Sequence, residues 1–201
     1  MSTVVACVAL VGCVDAKRSF DDYGTRVVDG GGAGIDRPNL TSIPDIGGHW
    51  FLAARPNLPE DRILLMVADY VFTANPDGTA KFSATITGLR TADKMPSTMQ
   101  PPLTETDVAI ALNGDFSAPL VGTFPGDANP VIPGSNASLT GELQGQIQSA
   151  DFFCGSLSGQ AGSLPLGGST FASQRIPEGT VGAALPTPIF KCPDTTIDAG
   201  L

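Results

Sequence analysis

From Ile46 onward the hydrophobic pattern of the chain takes a period of two. Along 79–89, Ala80, Phe82, Ala84, Ile86 and Gly88 fall on one side, and Lys81, Ser83, Thr85 and Thr87 on the other. Along 137–148, Leu139, Gly141, Leu143, Gly145 and Ile147 alternate with Ser138, Thr140, Glu142, Gln144 and Gln146. Successive side chains of a strand point to opposite faces, so each segment has one dry and one wet face, as in an antiparallel sheet or barrel. Asn75-Pro76-Asp77-Gly78 predicts a type I turn with glycine where a left-handed residue is needed, and Asn113-Gly114 predicts a two-residue hairpin. Pro59-Glu60-Asp61 ahead of 63–73 would suit a helix start. That segment is nevertheless read as a strand, because Leu64, Met66, Ala68, Tyr70 and Phe72 hold the even positions and the turn follows at once.

The strands expected are 49–55, 63–73, 79–89, 107–112, 115–121, 137–148, 151–158 and 169–176. Eight antiparallel strands in about 130 residues predict an all-β domain over 46–176, a small antiparallel barrel, with a β-sandwich as the alternative. The 24 glycines and 17 prolines, with only 15% charged residues, suit short strands joined by many turns. Two Tyr and one Trp cannot make the paired aromatic girdles of a membrane-spanning barrel.

The N-terminus has a different character. Val4 to Val11 is an unbroken apolar run containing Cys7, and it leads into Leu10-Val11-Gly12-Cys13. The run has the length of a signal-peptide core and is far short of the ~20 residues that span a bilayer. The pattern resembles a bacterial lipobox, after which a signal peptide is cleaved and the new N-terminal cysteine is acylated. The resemblance implies a signal peptide over 1–12, palmitate on Cys13 and a membrane held as partner through that anchor. Val14, in place of an aspartate, implies the outer membrane of a Gram-negative envelope. Met1-Ser2-Thr3 carries no basic residue, so the true translation start is expected upstream. The competing reading of this Val-rich stretch is a buried strand. Residues 13–45 read as a tether, with Asp15 capping a short helix of Phe20, Tyr23 and Val27 and with Gly30-Gly31-Gly32 ending it. Those glycines are read as linker, because no strand–glycine–helix context for phosphate binding surrounds them.

Removing Cys7 with the signal and acylating Cys13 leaves two of the four cysteines. Cys154 and Cys192 are then an even pair in an oxidising compartment, where a disulfide is the expected state. The bond would staple the Pro-rich tail, 177–201, to the barrel. One histidine with two cysteines makes no zinc site, so no metal is expected. The formal net charge is −9, and no Lys or Arg occurs between Met95 and Gln174. Such a surface repels phosphate backbones, which excludes nucleic acid as a partner.

Gly48-His49-Trp50 opens the first strand and Arg175 closes the last. The pairing resembles the lipocalins and the wider calycin group, where Gly-x-Trp and a late basic residue close the base of the barrel. The resemblance implies that Gly48 allows a tight approach, that Trp50 plugs the base and that Arg175 lies over its ring. It also offers a parallel for a disulfide that pins the C-terminal tail. The usual C-terminal helix of the group is not visible here.

No catalytic set emerges, and no cofactor is expected. Gly155-Ser156-Leu157-Ser158-Gly159 carries leucine where a nucleophile elbow needs serine. His49 is the only histidine and reads as structural or exposed. Asp61, Asp69, Asp77, Asp93, Asp107 and Asp127 are scattered and have no calcium-loop spacing. The expected function is a non-enzymatic envelope lipoprotein whose barrel holds a small apolar or amphipathic ligand. Its cavity would be lined by Phe82, Ile86, Leu139, Leu143 and Gly145, with the Pro-bounded stretch 95–106 as a mobile rim. The alternative is an adhesion or assembly module with a solid core that contacts another envelope protein, the room being filled by Trp50, Phe116 and Phe153. An enzyme of unknown class is the remote third reading.

Overall fold

The computed structural model describes residues 42–58 and 62–193, all in the unit Arg37–Leu201. Cys13, the helix expected around Phe20, Tyr23 and Val27, and Gly30-Gly31-Gly32 lie outside the described residues. The strands are β1 (Gly48–Arg55), β2 (Leu64–Ala74), β3 (Ala80–Gly88), β4 (Leu103–Ile110), β5 (Asp115–Phe124), β6 (Ala137–Ser149), β7 (Phe152–Ala161), the two-residue β8 (Leu164–Pro165) and β9 (Ser169–Arg175). Each strand from β1 to β7 pairs antiparallel with the next, β7 also pairs with β9, and β9 returns to β1. The wall is therefore a closed, up-and-down, eight-stranded antiparallel barrel, and β8 is an extra strand at the upper end of β7. Closure settles the choice between barrel and sandwich.

The predicted turns fall at one end, here called the base. Asn75 accepts from Gly78 N at 3.1 Å and Ala111 accepts from Gly114 N at 2.8 Å, and both glycines have positive φ. The period-two positions become inside and outside as expected, with β3 reading buried at Ala80, Phe82, Ala84, Ile86 and Gly88. The segment 63–73 is strand, not helix.

β5 and β7 run three residues past their expected ends, to Phe124 and Ala161, and β4 departs furthest. β4 starts at Leu103, not at 107, and ends at Ile110. The cause is a bulge: Phe82 faces Val108 but Ala84 faces Glu105, so β4 holds an extra residue there. Asp107 sits in it with φ 54°, its N–H donating to Ser83 Oγ at 3.2 Å and its carboxylate held by Lys81 Nζ at 2.6 Å. An extra residue inverts the in–out phase, which hides the strand from a periodicity search. The expected rim 95–106 therefore ends in strand, and its loop part is tied down. Ser97 N donates to Gly88 O at 2.8 Å and Ser97 Oγ to Asp127 at 2.6 Å.

Beyond Arg175 the tail crosses the outside of the wall. Ile176 and Leu185 join Phe51, Val67, Leu65 and Leu89 in a second apolar cluster, and Gly182 N donates to Lys94 O at 3.1 Å. The tail then brings Phe190 under the Arg55 guanidinium, 5.0 Å from ring centroid to Cζ, and ends at the Cys154–Cys192 disulfide. Cys154, Ala172 and Ala53 lie in one outward row yet are 0%, 0% and 1% exposed. An outward row becomes core only where something covers it, and the stapled tail does so.

Candidate functional site

The base is closed by the residues named from sequence. Trp50 is fully buried and its indole N–H donates to Ile46 O at 2.9 Å. The Arg175 guanidinium lies 4.9 Å from the Trp50 ring centroid. It donates to Asp45 O at 2.6 Å, to Ala150 O at 2.8 Å and to Gly47 O, and pairs with Asp151 at 2.9 Å. One planar fork thus satisfies three loop carbonyls around the ring it covers. Gly48 has φ 117°, and a Cβ there would stand 3.0 Å from the guanidinium, so glycine is required for this approach. Ile43, within the stretch read as tether, packs against the core.

Just above the base, rings of the described residues fill the barrel axis. Trp50 meets Phe153 at 4.9 Å, Tyr70 meets Phe82 and Phe153 at 5.4 Å each, and Phe116 meets Phe82 at 5.2 Å and Phe153 at 5.6 Å. Most cross edge to face, the arrangement aromatic quadrupoles favour. Burial pushes the Tyr70 phenol far above its ordinary pKa, offset only slightly by the Ser173 hydroxyl.

The five residues expected to line a cavity are brought together, but as core. Phe82, Ile86, Leu139 and Leu143 belong to one buried cluster with these rings. Gly145 faces Phe116 across β5–β6, and a Cβ at Gly145 would lie 2.3 Å from the Phe116 ring. The space that glycine leaves is taken by a side chain of the protein itself. We therefore expect Gly145→Phe to disrupt the core rather than block a ligand. Its unfolding midpoint in urea should drop well below that of the parent, and an unchanged midpoint would show that room for a second ring exists.

His49 Nδ1 lies 2.6 Å from Asp69 Oδ1, a facing pair on the outer wall between β1 and β2. Thr85 faces Asp69 across β2 and β3 on the same outer wall, whereas Ser173 is paired with the inward Leu52 and is buried.

Sequence reasoning missed one residue that the structure sets apart. Glu105 is only 6% exposed and faces inward between Leu103 and Val108. No hydrogen bond or ion pair reaches it among the described residues, and burial raises its carboxyl pKa. The wall beside it is parted. β4 and β5 form a single ladder pair, Ile110 with Phe116, whereas β5 and β6 pair along ten positions. Pro119 lies in β5 without an N–H to give, and β4 carries the Asp107 bulge along the same stretch. Leu103 crosses Gly122 higher up, where a Cβ would lie 2.4 Å from the leucine Cδ2. The slot between these two closures holds side chains but no ladder. A small cavity of about 10 Å³ lies beyond the Leu103–Gly122 crossing, lined by the loop residues Ser97, Gln100 and Pro101 together with Thr87, Leu103 and Phe124.

The chain is thus an all-β protein built as one closed antiparallel barrel with a disulfide-stapled tail. Comparison with protein-family models, with curated proteins and with solved structures finds no match. The resemblance to the lipocalins rests on Gly48, Trp50 and Arg175 alone.

Proposed function

We propose that this chain is an exported bacterial lipoprotein, acylated at Cys13, whose barrel is a non-enzymatic interaction module of the outer membrane envelope. The observation that supports the interaction reading is the half of the axis next to the base, which the described residues fill with rings. A carrier barrel keeps an enclosed space for its ligand, whereas here Phe116 occupies the room beside Gly145 and Phe153 touches Trp50, Tyr70 and Phe116. A neutral apolar ligand in that half would have to displace those rings, which favours the outer wall and its loops as the working surface. The lipobox supports the address, and the Cys154–Cys192 bond suits an oxidising compartment.

Two measurements test this. Expressed from its full reading frame in a Gram-negative host, the protein should take up labelled palmitate, and Cys13→Ser should lose both label and membrane partitioning. Persistence of label in that variant overturns the anchor. A neutral environment-sensitive dye should show no saturable one-site binding to the purified barrel. Stoichiometric binding would favour a carrier of small apolar ligands over an interaction module.

A further inference from the structure

We propose that the parted seam between β4 and β5 is a binding site for an alkylammonium group, with Glu105 as its counter-ion. Two features converge there. The first is the carboxylate, 6% exposed, turned inward and unpartnered among the described residues. A buried carboxylate without a partner is costly, so proteins seldom keep one unless something pairs with it. The second is the way in. Between the Ile110–Phe116 pair and the Leu103–Gly122 crossing the wall lacks a ladder, and its flanking outer residues Thr104, Thr106, Pro119 and Val121 carry no charge.

The chemistry of the occupant follows from charge and shape. From 95 to 174 the chain carries Glu105, Asp107, Asp115, Asp127, Glu142 and Asp151 and no Lys or Arg, so this part of the wall draws cations. Of these acids, Asp107 is held by Lys81 at 2.6 Å and Asp151 by Arg175 at 2.9 Å, and Glu105 is the one that is buried and turned inward. A slot between two strands suits a slender stem. An ammonium is a compact point charge on a flexible methylene chain, whereas a guanidinium is a broad planar fork that one carboxylate in a slot does not match. The stem would lie against Leu103, Val108, Ala118 and Leu120, all inward and buried. The group can arrive on a free amphipathic amine or on the side chain of a partner's lysine, and the site stands whether or not Cys13 is acylated.

The test is titration of the oxidised barrel with hexylammonium, hexanol, hexanoate and a capped Thr-Lys-Thr peptide, followed by amide chemical shifts. Hexylammonium should bind at one site, moving the amides of Thr104, Thr106, Ala118 and Leu120, at least tenfold more tightly than hexanol or hexanoate. Glu105→Gln should weaken it tenfold or more, while Asp107→Asn should change it less than twofold. Because Glu105→Gln removes an unpaired buried charge, its Tm should equal or exceed that of the parent. Peptide binding at the same amides identifies a lysine-bearing partner as a source of the group, and its absence beside hexylammonium binding identifies a free amine. Equal affinity for hexanol, an unaffected Glu105→Gln, a Glu105→Gln Tm below that of the parent, or no binding of hexylammonium would each overturn the proposal.

Discussion

Trp50→Ala is expected to cost about 3–5 kcal/mol, the range for removing a large ring from a core, and to be the most damaging single truncation in the barrel. Trp50 is fully buried, touches Tyr70 and Phe153, and anchors Ile46 O through its indole N–H. Its loss also removes the face on which Arg175 rests. The guanidinium would keep its carbonyl partners, so the loops at the base would hold while the core above them empties. Equilibrium denaturation of the oxidised protein measures the effect. A loss below about 1 kcal/mol, the size of an ordinary surface change, would show that the rings above Trp50 collapse into its place.

Cys192→Ser should cost nearly as much. The disulfide closes a loop of sequence separation 38, and the chain-entropy relation gives about 4 kcal/mol for a loop of that size. The staple also holds Phe190 against Arg55 and the cover over Cys154, Ala172 and Ala53. Reduction of the parent protein should reproduce the loss in denaturant midpoint, and Cys154→Ser should match Cys192→Ser. A midpoint insensitive to reductant would mean that the tail is held by Ile176, Leu185 and Gly182 alone.

The strands whose alternation is unbroken were legible before any coordinates. β3 and β6 show it, and so do the glycine turns after Asp77 and Asn113. β4 was legible only in its second half. Its inward carboxylate and its extra residue at Asp107 make Thr104-Glu105-Thr106-Asp107 read as a polar loop, although Leu103 and Glu105 are buried. The same two features mark the seam. A charge at an inward position is what a periodicity search discards, so the residue that most distinguishes the wall carried no usable signal in the sequence. β8 was missed for a simpler reason: Leu164-Pro165 is too short to show a period.

The supposed cavity shows what a single strand cannot reveal. Gly141 and Gly145 do alternate with Leu139, Leu143 and Ile147 on the inner face, and from one strand alone small residues look like room. Register shows which neighbours these glycines meet. Gly145 faces Phe116 on β5 and Gly155 on β7, and Gly141 faces Gly159, where an added Cβ would meet backbone of the neighbouring strand. By itself the sequence determined the in–out pattern of the strands, the two tight turns and the even cysteine pair, because each depends on neighbours along the chain. The tertiary structure alone decided that β9 closes on β1, that Phe116 fills the place beside Gly145 and that β4 parts from β5 around Glu105. Those outcomes depend on which residues meet across strands far apart in sequence, and local alternation does not specify that pairing.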